Sequence, residues 1–135
     1  MWGQGYVEMN NILIADFGPN GTFACGLTGR DVVIRNVEGK VVKTIDCDVN
    51  KKGYANILDL AFSLCGKYLL VADNISGVQV WSLKDKSDAK LITVITDGGH
   101  SYRHRACLSP KNDCLLTVGD DGIIKGYDFK KIVGK

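Results

Sequence analysis

Two histidines, five cysteines and a scatter of aspartates are the side chains of this 135-residue chain best suited to chemistry. His100 with Asp120 or Asp121 offers an imidazole and a carboxylate, the pairing of a general base oriented by an acid. Thr117 and Tyr127 add hydroxyls to the same C-terminal stretch, and Asp73 and Trp81 form a similar set upstream. Nothing nominates a nucleophile or paired carboxylates for such a base to serve, and no G-x-S-x-G, H-E-x-x-H or Walker sequence is present. Buried polar groups that bond one another and close a turn account for the same residues without catalysis. Asp16-Phe17-Gly18 spells the metal-binding triplet of kinases, but no glycine-rich loop, strand lysine or catalytic loop accompanies it. No enzyme activity is expected.

Arg103, His104 and Arg105 make one strand start unusually polar. They fit a solvated strand end, or a face for an acidic partner or a phosphate. Cys25, Cys47, Cys65, Cys107 and Cys114 are scattered without a C-x-x-C pair, so they read as reduced structural thiols on or beside strands. No metal site and no cofactor is expected. Seventeen basic against fifteen acidic residues give a net charge of +2, which does not suggest nucleic acid or an anionic membrane as partner. No apolar run is long enough for a membrane span, and Met1-Trp2-Gly3 opens no signal peptide, so an intracellular chain is expected, cytoplasmic or nuclear.

The elements that must position these residues are strands. Leu115 to Phe129 holds two apolar runs around Gly119-Asp120-Asp121-Gly122, a composition that supplies the positive φ and local bonds of a hairpin turn. Asn11–Phe17, Thr22–Leu27, Asp31–Asn36 and Lys40–Cys47 read as four further strands, and Ile57–Phe62, Tyr68–Ala72, Val78–Trp81 and Leu91–Thr96 as another four. For Lys40–Cys47 the alternation leaves open which side faces inward. No helix is needed.

The pattern repeats. Shifted by 46 residues, Leu115-Leu116 falls on Leu69-Leu70, Ile124 on Val78 and Tyr127-Asp128 on Trp81-Ser82. A third copy near the start matches Phe17 to Phe62 and Val32–Asn36 to Val78–Ser82. Twenty-six residues separate Gly99-His100 from Tyr127-Asp128. A Gly-His pair, a core of this length and an aromatic-Asp pair resemble the WD-repeat family, whose periods of about 40–45 residues each build one β-propeller blade.

The resemblance implies an all-β fold of about three four-stranded antiparallel blades in an incomplete ring, near residues 5–47, 53–97 and 99–133. The third copy shows no obvious fourth strand. It further implies a structural hydrogen-bond network of His100, Asp120 or Asp121, Thr117 and Tyr127, the last standing where tryptophan is usual. The second copy offers Tyr54, Asp73 and Trp81. Leu60, Phe62, Leu70, Val78, Val80, Leu108, Leu116 and Ile124 are the expected core. The implied function is a non-catalytic scaffold for protein partners. The competing reading is a module for phosphoinositide or nucleic-acid phosphates at Arg103, His104 and Arg105, although the paired-arginine motif of phosphoinositide-binding propellers is absent. A three-blade arc leaves apolar faces uncovered. Two copies closing a six-bladed ring, with residues 1–9 of one supplying the other's missing outer strand, would cover them, as would further blades.

Overall fold

A computed structural model describes residues 12–19, 21–27, 31–47, 57–73, 76–85, 88–96, 105–119 and 121–134. Eleven strands alternate with short turns. They are β1 (Ile12–Phe17), β2 (Thr22–Leu27), β3 (Asp31–Asn36), β4 (Val41–Asp46), β5 (Ile57–Phe62), β6 (Tyr68–Asp73), β7 (Val78–Ser82), β8 (Lys90–Ile95), β9 (Arg105–Leu108), β10 (Cys114–Val118) and β11 (Ile124–Asp128). They form three antiparallel sheets in sequence order, β1 to β4, β5 to β8 and β9 to β11. The innermost strands β1, β5 and β9 lie beside one another, so the sheets stack as an arc.

Several of the turns use glycine at positive φ, while the β9–β10 turn uses Asn112 at φ 58°. The tightest case is Gly77, between β6 and β7, at φ +111°, where a Cβ would come 2.3 Å from the Ile95 carbonyl oxygen. Gly26 answers a different need, close approach of sheets: a Cβ there would meet Ile14 and Ile57 at 2.9 Å.

The second sheet carries the core on both faces. Toward the first sheet it presents Ile57, Leu60, Leu69, Val71 and Trp81, packed on Ala24, Val32, Ile34 and Ile45. Toward the third it presents Tyr68, Leu70, Ala72, Val78 and Val80, packed on Ala106, Leu115 and Phe129. All six residues of β6 are buried as a result. Each fully buried large apolar side chain contributes about 1.5–3 kcal/mol relative to exposure.

Four expectations need correction or resolution. Leu116 and Ile124 are exposed, at 39% and 67%, not core. They occupy the positions of Leu70 and Val78, both 1% exposed, and the difference is that the third sheet covers the second while no further sheet follows among the described residues. Phe62 and Leu108 are only half-buried. The third sheet has three strands among the described residues, and a short helix, α1 (Phe129–Ile132), takes the place expected to be strand or loop. Asp128 caps it by accepting from the Lys131 N–H at 3.3 Å, and Phe129 anchors it edge-on to Tyr68, ring centroids 5.4 Å apart. Finally, the alternation of β4 is broken by a bulge opposite Ile34 and Arg35. Lys43 and Ile45 pair with Ile34 and Val32 and turn toward the second sheet, while Val41 and Val42 stay exposed.

Candidate functional site

Along β7, residues two apart share a face, which puts Gln79 and Trp81 side by side against the first sheet. The Trp81 indole N–H donates to the Gln79 amide oxygen at 2.9 Å. The Gln79 amide nitrogen in turn donates to Asp73 Oδ2 at 2.7 Å and to the Cys47 carbonyl at 2.8 Å. Asp73 Oδ1 accepts from the backbone N–H of Ser76 and, at 3.4 Å, of Gly77, holding the β6–β7 turn. Asp73 and Gln79 are fully buried. One amide therefore ties a turn, an indole and the end of the preceding sheet together in low dielectric, where satisfied bonds are strong and orphaned groups costly. Sequence reasoning singled out Asp73 and Trp81 and missed Gln79. The available signal was a polar residue two before a tryptophan in a strand otherwise made of valines.

A second set of bonds runs between inner strands. Asp16 accepts from the backbone N–H of Phe62, and Asp59 Oδ2 accepts from that of Ala106 at 3.0 Å. Burial lifts the Asp16 carboxyl above its ordinary range, with the Asp59 charge adding to the effect against the N–H groups of Phe62 and Phe17. Lys43 adds a link on the outer side, its ammonium donating to the carbonyls of Leu83, at 3.3 Å, and Asp85.

In the third sheet, Thr117 is buried in β10 on the face toward the second sheet, and half-buried Tyr127 of β11 shares that face. Asp121 lies exposed in the β10–β11 turn and accepts from the Ile123 N–H at 3.1 Å. Arg105 opens β9, exposed, beside a cavity of about 230 Å³ that Asp59, Cys107, Leu116 and Ile124 also line. His100, Asp120, Arg103, His104, Tyr54 and residues 1–9 lie outside the described residues.

The five thiols are free. Burial drives the Cys47 thiol far above its ordinary pKa, and the charges of Asp73, Asp31 and Asp46 push the same way. Burial likewise raises Cys25, against the pull of Arg35. Cys65 goes the other way: its slight burial is outweighed by bonds from Ser63, the Lys67 N–H and Asn112, and by the Lys67 charge. No cluster of His, Cys, Asp and Glu able to hold a metal occurs among the described residues. No described helix is long and apolar enough to cross a membrane.

No family model and no curated protein matches the sequence. Solved structures do match. The beta-propeller domain of Cps50 (Swd1) from Myceliophteria thermophila superimposes at TM-score 0.72 with 23% identity, covering 91% of this chain and 36% of that one. The RRP9 WD40 repeats and U3-55K both give TM-score 0.74 and 18% identity over 90% of this chain, covering 36% and 37% of theirs. The fold is that of WD-repeat β-propeller blades. The chain spans little more than a third of the structures it matches. In WD-repeat terms the two complete sheets are four-stranded blades, and the face bearing Leu116 and Ile124 is the one a following blade would cover.

Proposed function

We propose that this chain is a non-catalytic protein-interaction scaffold of the WD-repeat type, working as a subunit of a larger assembly in the cytoplasm or nucleus, with blades near residues 5–47, 53–97 and 99–133. One observation carries the reading: the third sheet exposes Leu116 and Ile124 at positions where the second sheet buries Leu70 and Val78 under a neighbour. A face of that character is built to be covered by protein. The polar groups that could do chemistry point the same way, since Asp16, Asp59 and Gln79 bond one blade to the next and Asp73 holds a turn and the Gln79 amide.

Completion by further blades, in the same or another polypeptide, covers the Leu116 face as the third sheet covers the second. A homodimer closing a six-bladed ring would use the opposite face of the first sheet, where Phe17 is open but Phe23, Cys25 and Val33 are already buried. Further blades are the reading this exposure favours. The test is purification of the tagged chain from its own cells with mass spectrometry of what accompanies it. A stoichiometric protein that survives high salt is the expected result. Recovery only of RNA or phosphoinositide, lost as salt rises, would replace the scaffold with the phosphate-binding reading at Arg103, His104 and Arg105.

A further inference from the structure

Between the first two sheets, at the end that carries the β1–β2, β3–β4 and β5–β6 turns, lies a cavity of about 150 Å³. Its walls are Ile34, Val42, Lys43, Phe62, Gly66 and Leu83, drawn from both sheets. Two local features open it. The bulge opposite Ile34 and Arg35 pushes Val42 outward, leaving it 49% exposed in a strand whose neighbour Ile45 is buried. Gly66 lines the hollow and brings no side chain to fill it. Val42 therefore stands half in water at the edge of the hollow, and a hollow of about this size takes a benzene-sized group.

The surroundings are cationic. The Lys43 ammonium lies on the wall, bonded to the carbonyls of Leu83 and Asp85, which orient its charge without cancelling it. Lys67 follows the lining residue Gly66 and Lys40 stands two residues before Val42, both exposed. The nearby acid Asp85 is shared with Lys90, 3.7 Å away. A largely apolar hollow with one lysine on its wall and two exposed lysines close to its lining residues in the chain is complementary to a segment that carries one aliphatic side chain among carboxylates.

We propose that this cavity docks an acidic peptide segment of a partner protein, which seats one aliphatic side chain between Val42 and Phe62 and lays its carboxylates on Lys40, Lys43 and Lys67. The inference rests on the scaffold reading and gives that scaffold a site and a partner chemistry. It is independent of the Leu116 face and of whatever covers it.

Fluorescence polarisation with the full chain and three labelled peptides tests it: Asp-Glu-Glu-Leu-Glu-Asp, the same peptide with alanine for leucine, and a lysine-for-acid version with the leucine kept. The leucine peptide should bind about tenfold or more tightly than the alanine one, the difference expected from burying an aliphatic side chain. The lysine version should not bind. Val42→Asp and Lys67→Glu, both at exposed positions, should each weaken the acidic peptide about tenfold with the thermal melt unchanged. Equal binding of leucine and alanine peptides, or indifference to both variants, would overturn the site. So would binding of a single-stranded RNA in place of the peptide. Failure of these peptide results in a chain that still captures a cellular protein sinks this site while leaving the scaffold standing; a wild-type chain that captures no protein and binds no peptide sinks both.

Discussion

Removing the Gln79 amide tests the central network directly. Gln79→Ala takes a donor from Asp73 at 2.7 Å and from the Cys47 carbonyl at 2.8 Å, and an acceptor from the Trp81 indole at 2.9 Å. Asp73 has no exposure to water and keeps its bonds from the Ser76 and Gly77 N–H groups. Each buried group that loses a partner costs about 1–3 kcal/mol. Trp81, 8% exposed, recovers part of its loss through solvent. The sum is about 3–5 kcal/mol, a large share of the roughly 5–15 kcal/mol that a domain has. Trp81→Phe removes the indole N–H together with part of the ring volume packed in the core, and should cost about 1–3 kcal/mol. Urea unfolding followed by circular dichroism measures both, and the double variant gives the coupling. A positive coupling of at least about 0.5 kcal/mol is expected for groups in one network. A Gln79→Ala loss below about 0.5 kcal/mol, or strict additivity with Trp81→Phe, would refute the reasoning.

Further outcomes follow from other sites. Leu70→Ser should cost about 2–5 kcal/mol, whereas Leu116→Ser, at the matching but exposed position, should stay within about 1 kcal/mol in the isolated chain; chemical unfolding of both compares them. Gly77→Ala should lower the melting temperature markedly, because the new Cβ meets the Ile95 carbonyl at 2.3 Å and φ is +111°. Asp59→Ala should speed exchange of the Ala106 amide proton, read by NMR, by removing its 3.0 Å acceptor. Cys47 has a folded pKa raised above its unfolded value, so its contribution is full below about pH 8.5 and is lost as pH rises beyond that, because the unfolded thiol ionises and the folded one does not. Urea titrations at rising alkaline pH should show falling stability, less so in Cys47→Ala. In the same pH range a thiol reagent should modify exposed Cys65 first and reach Cys47 only on unfolding.

The strands were legible because alternation and Gly-bearing turns act locally: β2, β3 and β5 match the sequence reading end to end, and β6 and β7 within a residue. What stayed hidden depends on neighbours. Leu116 and Leu70 are the same residue in the same repeat position, and only the presence of a covering sheet separates a core group from a surface one. Gln79 was only faintly marked for a related reason, since one of its partners, the Cys47 carbonyl, is contributed by a different repeat. The cavity behind Val42 comes from a one-residue bulge, which a strict period of two conceals.

The carboxylates of Asp16 and Asp59 each reach from one inner strand to the backbone of the next. In a repeat array, stability is close to a sum of terms within each unit and terms between neighbours. Such bonds belong wholly to the second kind. They make opening of one sheet expose an orphaned acid on another, so the units melt together and not one at a time. The middle sheet, with neighbours on both sides and β6 buried throughout, then becomes the last segment to give up its amide protons. Order in this arc spreads outward from its centre and thins toward the third sheet.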